Sequence, residues 1–192
     1  MKTMYGQHPK MQIKYSYIRI FLFSCCLFAN LCVHAQLDNE NDTAYWWSIS
    51  DLADSIAGKL DTDSVHSFTQ VNKERQKEFW RYDTVNDSLF QFKIIYYEKG
   101  SIKAIKRTEY DEYFLVLNHQ LVYEQDGYTD FYPAGDSMRW SEEGYYRNER
   151  GLHFISHGHG ISETDDYNPE RDILLLFKKR YKQLQSYLKK HK

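Results

Sequence analysis

The chain has 192 residues, with 25 basic and 27 acidic side chains, a formal charge of −2, 17% aromatic residues and three cysteines. The 157 residues that follow residue 35 suffice for one domain with its own core and are short for two. Cys25, Cys26 and Cys32 all precede residue 36, so the rest of the chain has no thiol, which excludes disulfide frameworks, cysteine-based zinc sites and thiol catalysis there.

The first element is an export signal. Lys10, Lys14 and Arg19 precede an uncharged, mostly apolar run from Ile20 to Val33, which leads into Val33-His34-Ala35. Positive, then apolar, then small is the order of a secretory leader. The run is shorter than the roughly 18 to 20 residues that cross a bilayer, so no stable membrane span is expected after cleavage. Cleavage is expected after Ala35, and Met11 competes with Met1 as the start, because it gives a leader of ordinary proportions. Lipid anchoring at Cys25 or Cys32 is disfavoured, since Phe23 and Leu31 stand where small residues are required. The protein is thus expected to be periplasmic or secreted. Removing residues 1–35 takes away Lys2, Lys10, Lys14 and Arg19 and no acid, so the formal charge falls by four to −6. A surface of that sign argues against nucleic acid as a partner.

Residues 36–44 read as a flexible lead-in and 45–192 as a single domain. Ser48 or Ser50 is the expected N-cap of a short helix with Asp51 and Asp54 in its first turn and Leu52, Ile56 and Leu60 at four-residue spacing; Gly58 weakens it. The stretch from Ser64 to Arg81 fits neither period, and its polar run Asn72–Glu78 is a helix turn or a connection. Leu89–Tyr97 and Ser101–Thr108 form a hairpin about Lys99-Gly100. Glu112–Leu117 and Leu121–Glu124 form a second about Asn118-His119-Gln120, and Glu142–Arg147 and Leu152–Ser156 a third about Asn148–Gly151. Asp126–Asp136, punctuated by Gly and Pro, is a functional loop or a plain connection.

The closing helix is the strongest signal. Asn168 is its N-cap, Pro169 its first residue, Glu170 and Asp172 suit the positive end of its dipole, and Ile173, Leu176, Phe177, Leu184 and Leu188 form one apolar stripe. The expected fold class is α+β: an antiparallel β-meander of about six strands, a short N-terminal helix, and a C-terminal amphipathic helix packed on one face.

Two hairpins share a theme, Tyr113-Phe-Leu-Val-Leu-Asn-His-Gln-Leu-Val and Tyr145-Tyr-Arg-Asn-Glu-Arg-Gly-Leu-His-Phe: aromatic strand, polar turn, Leu, apolar return. Over roughly Leu89 to Lys190 this resembles a loose group of exported Gram-negative bacterial proteins built on aromatic β-hairpins. The resemblance implies the meander and carries no activity. Phe131–Asp136 with Glu143–Gly151 is similar to one unit of a MORN-type repeat, but a repeat protein needs several such units.

For chemistry, His157 and His159, with His153 and the acids Glu163, Asp165 and Asp166 nearby, are ligand types for Zn, Ni or Cu, although His153 lies roughly 13 Å from His157 along an unbroken strand. The acidic runs lack the ligand spacing of a calcium loop. Tyr128, Phe131, Tyr132 and Trp140 are the candidate binding platform, and lining the core is their competing role. Ser137, Ser141 and Ser156 lack a nucleophile elbow, there is no phosphate loop, and Glu142 and Glu143 point to opposite faces of a strand. No cofactor is expected. The leading expectation is an exported, non-enzymatic interaction domain for an envelope or extracellular macromolecule. A small-ligand or metal-binding carrier is the second reading, and a hydrolase-like enzyme without a visible motif the third.

Overall fold

The structure, a computed structural model, describes residues 41–62, 64–100, 104–158 and 168–191. The leader 1–35, the lead-in up to residue 40 and His159, Glu163, Asp165 and Asp166 lie outside the described residues. The chain divides into two units, Met1–Ala44 and Tyr45–Lys192. Of the first, 41–44 are described and helical.

In the second unit, seven antiparallel strands follow one another in sequence order across a single sheet. They are β1 (His66–Val71), β2 (Lys77–Thr84), β3 (Leu89–Lys99), β4 (Arg107–Leu117), β5 (Gln120–Phe131), β6 (Ser137–Arg147) and β7 (Arg150–His157). Helix α1 (41–56) precedes the sheet and α2 (Pro169–Lys190) follows it. No described helix is long and apolar enough to cross a membrane.

The meander is as expected in kind, and it differs in three details. The segments read as Ser101–Thr108 and Glu112–Leu117 are one strand from Arg107 onward, because Tyr110 and Glu112 continue the alternation that Phe114 and Val116 maintain; 101–103 lie outside the described residues. The stretch left without a period forms β1 and β2, and its polar run is the tight turn between them: Asn72 N donates to Gln76 O (2.9 Å) and Arg75 N to Asn72 O (3.1 Å). The supposed loop at Asp126–Asp136 is mostly strand, since β5 continues to Phe131 and only 132–136 turn, with Tyr132 N on Asp136 O (2.9 Å) and Gly135 N on Tyr132 O (3.1 Å). The two turns share one backbone design, with Arg75 (φ 64°) where the other has Gly135 (φ 99°).

Helix α1 also departs from expectation. It is already helical at 41, so neither Ser48 nor Ser50 caps it, and Ser48 Oγ donates back to Tyr45 O at 2.7 Å within the helix. The α-helix ends at residue 56 and tightens into a 3₁₀ turn, Ala57–Asp61, at the position where Gly58 lowers helix propensity. The start of α2 is as expected: Asn168 Oδ1 accepts from Arg171 N (3.0 Å), and Asp172 Oδ2 accepts from Asn168 N (3.0 Å).

The sheet has a core on each face. On one, Ile49, Ala53, Ile56 and Leu60 pack on Leu89, Tyr113, Leu115, Tyr123 and Tyr145. On the other, Ile173, Phe177 and Leu184 of α2 pack on Trp80, Phe92, Ile94, Phe114, Val116 and Tyr146. Aromatic rings carry the second core across four strands, from Phe68 to Trp80 (5.4 Å between centroids), Phe92 (6.2 Å) and Phe114 (4.8 Å). Bulges at Leu115/Val116 and Tyr145/Tyr146 reset the alternation beside both two-residue turns.

Candidate binding surfaces

The strand register separates two chemically opposite surfaces. Even-numbered residues of β2–β4, and of β5 from Glu124 and β6 up to Gly144, face α2. Glu78, Tyr96, Tyr110, Tyr128 and Trp140 lie in one row across β2–β6, and Ile94, Glu112, Asp126, Glu142 and Ser156 in the next across β3–β7. The first row is an aromatic ladder, with centroids 5.0 Å apart for Tyr96–Tyr110, 6.2 Å for Tyr110–Tyr128 and 5.6 Å for Tyr128–Trp140. The second is a row of carboxylates, joined by Glu124 one step further along β5.

Arg180 enters this acidic face from α2. Its Nε and Nη2 donate to the two oxygens of Glu112 at 2.7 and 2.6 Å, and its Nη1 donates to Glu78 at 2.8 Å. All three groups are buried. Glu78 also accepts from Gln70 (2.9 Å), Trp80 Nε1 (3.1 Å) and Asn72 (3.2 Å). Burial opposes the Glu78 carboxylate, but Gln70, Arg180 and Trp80 together outweigh it and hold its pKa below the ordinary value. At Glu112 burial prevails over the Arg180 pairing and raises the pKa. Glu124 is fully buried, and neither of its oxygens has a partner among the described residues. Burial, reinforced by Asp126 and Glu142, pushes its pKa well above the carboxylate range. Burial, with Glu142 and Glu112 nearby, raises Asp126 to about 7.

The opposite face is covered by α1 near Leu115 and presents a different chemistry beyond it. There a depression of about 510 Å³ is lined by Thr69, Phe79, Arg81, Lys93, Ile95 and Tyr97. Phe79 (39% exposed) and Tyr97 (41%) meet edge to face at 6.2 Å. Lys77 Nζ sits 5.0 Å over the Phe79 ring, and the Arg107 guanidinium lies between the Tyr97 ring (5.1 Å) and the Phe131 ring (4.4 Å). Arg81 and Lys93 share Asp61 at 3.6 and 3.4 Å, both exposed contacts. Arg139 forms a bidentate pair with Asp111 at 2.7 and 2.9 Å. Exposed aromatic rings beside Lys77 and Arg107, with Glu109 bonded to Tyr97, therefore lie on one side of the sheet, and tyrosines beside a row of carboxylates on the other.

The four residues expected to form one platform are divided between these surfaces. Tyr128 and Trp140 are register partners on the α2 side, Phe131 is on the opposite face under Arg107, and the Tyr132 backbone closes the β5–β6 turn. His153 stacks on Trp46 with centroids 4.5 Å apart, and His157 Nε2 lies 3.2 Å from Glu143 Oε1. Among the described residues no group of three or more His, Cys, Asp or Glu side chains is placed to hold a metal ion. Glu142 and Glu143 do face opposite sides of β6.

Sequence reasoning missed Arg180, Glu78, Glu112, Glu124 and Asp126. One signal for them was present. Arg180 lies seven residues after Ile173 and four before Leu184, a core position of the apolar stripe, and a cation there requires buried acids opposite. No protein-family model, curated protein or solved structure matches the chain.

Proposed function

We propose that this protein is an exported, non-enzymatic binding domain that holds an anionic glycan chain of the cell envelope or exterior against the sheet face bearing Phe79, Tyr97 and Phe131. The observation that carries the reading is the exposed pair Phe79 and Tyr97, bordered by Lys77 and Arg107. Half-exposed aromatic rings grouped on a sheet are costly to leave in water and mark a contact surface. The C–H faces of sugar rings pack on such rings, and the neighbouring ammonium and guanidinium groups pair with carboxylates or sulfates along the chain.

Charge supports the same choice of partner. The chain is acidic after residue 35, yet Lys77 and Arg107 border the exposed rings and Arg81 and Lys93 line the depression, against Asp61 and Glu109 on the same side, which favours an anionic polymer here over the carboxylate face. The leader-like segment and the resemblance to exported hairpin proteins support an exported location. The test is co-sedimentation or affinity electrophoresis of the full-length chain with polygalacturonate and with neutral dextran. Retardation by polygalacturonate alone, weakening as salt is raised, is the expected result; equal behaviour with both polymers would refute it.

A further inference from the structure

The cavity on the other side of the sheet is independent of that surface. It lies between α2 and the floor formed by β2–β5, has a volume of about 310 Å³, and is walled by Tyr96, Tyr110, Asp126, Gln183 and the Arg180–Glu112 pair. Arg180 is its buried cation and already bridges Glu112 and Glu78, while Lys73 and Lys179, which also line it, are exposed. The buried wall atoms without a partner among the described residues are Asp126 Oδ1 and Gln183 Oε1, both acceptors. Behind Asp126 on the same face of β5 stands Glu124, fully buried and also unpartnered at both oxygens.

An occupant of this space has to donate. A carboxylate or phosphate leaves both buried acceptors unpaired and reaches only the exposed Lys73 and Lys179, and a neutral hydroxyl brings one proton for two unpaired oxygens. A primary ammonium brings three donors and the charge opposite to Asp126, and the Tyr96 and Tyr110 rings, stacked 5.0 Å apart, form an aromatic floor on which the Arg180 guanidinium already sits 5.9 Å from the Tyr96 centroid. We infer that this cavity is a binding site for a small ligand carrying a primary ammonium group, held by Asp126 and Gln183 against the Tyr96–Tyr110 floor.

Recognition requires an ionised Asp126. The groups around it are Asp111 and Glu112 of β4, Glu124 of β5, Glu142 of β6, and Lys179 and Arg180 of α2. Burial and these acids raise the Asp126 carboxyl to about 7, so affinity rises with pH across neutrality. Between pH 6 and pH 8 the ionised fraction, and with it the affinity, increases about tenfold.

Titration calorimetry of the full-length chain with phenethylamine, and with 2-phenylethanol as its uncharged counterpart, tests the assignment. The expected result is saturable binding of the amine at pH 8, about tenfold weaker binding at pH 6, and no saturable binding of the alcohol. Asp126→Asn should weaken the amine at least about tenfold at an unchanged far-ultraviolet spectrum. Gln183→Ala, which leaves the carboxylate row intact, should weaken it by a smaller factor and serves if the first variant is poorly folded. No heat from phenethylamine up to about 5 mM, equal binding of the alcohol, or undiminished binding by either variant overturns the assignment.

Discussion

Arg180, near the middle of α2, reaches Glu112 on β4 in a two-pronged pair of 2.7 and 2.6 Å, buried between helix and sheet. Its third donor holds Glu78 on β2 at 2.8 Å, so one guanidinium fixes the register of the helix over three strands. Removing the cation while keeping both carboxylates leaves two buried acids uncompensated. Arg180→Met should therefore lower unfolding stability by about 3–5 kcal/mol in urea denaturation. Adding Glu78→Gln and Glu112→Gln to that variant should recover most of the loss. Failure of the triple variant to recover would locate the cost in packing.

Asp126 gives a pH-dependent stability of definite sign. Its folded pKa, about 7, lies above the ordinary aspartate value of 3.8, so the native state binds the proton more tightly than the unfolded chain. The group therefore destabilises the fold progressively as pH rises from about 4 to 7, and the cost is constant above that. Asp126→Asn should raise the melting temperature clearly at pH 8 and little at pH 4. Glu124→Gln should behave in the same direction, since complete burial pushes its pKa well above the carboxylate range. Equal gains at both pH values would contradict the assignment.

The β1–β2 turn should accept a stabilising glycine. Arg75 adopts φ 64°, the left-handed conformation that Gly135 takes at the matching position of the β5–β6 turn. Arg75→Gly should stabilise the protein by about 0.5–1 kcal/mol, the relief of that backbone strain less the added flexibility of the unfolded chain. Thermal or urea unfolding checks it, and a loss of stability would mean that the Arg75 side chain contributes contacts of its own.

The cap of α2 is separable from its packing. Asn168 is exposed and its Oδ1 accepts from Arg171 N at 3.0 Å. Asn168→Ala should cost about 1 kcal/mol, whereas Asn168→Asp should be close to neutral, because aspartate accepts the same bond at the positive end of the helix dipole.

The parts of the fold that declared themselves in the sequence were those in which one local signal dominated. The α2 stripe of Ile173, Phe177 and Leu184, its cap, and the turns at Asn118 and Asn148 were all legible, since apolar periodicity and residues tolerant of positive φ point to one structure each. The β1–β2 hairpin was not. Its turn carries Lys, Glu and Arg in place of Gly or Pro, and β1 shows an outer edge where Val71 is 66% exposed, so the alternation is blurred. The division of Tyr128 from Phe131 needed the register of β5, and a loop reading of 126–136 hid it. The buried acids were announced only indirectly, by Arg180 at a core position of the α2 stripe: Glu112, Glu124 and Asp126 themselves look solvated until α2 is laid over them.

The central claim, that the Phe79–Tyr97 face holds an anionic glycan, is tested most directly by mapping amide shifts of the isotopically labelled full-length chain during titration with a short oligogalacturonate. The account predicts shifts concentrated at Thr69, Phe79, Ile95, Tyr97 and Arg107, abolished in a Phe79→Ser, Tyr97→Ser variant that remains folded. Shifts confined to the α2 side, around Tyr110 and Asp126, or no shifts at saturating sugar, would contradict it.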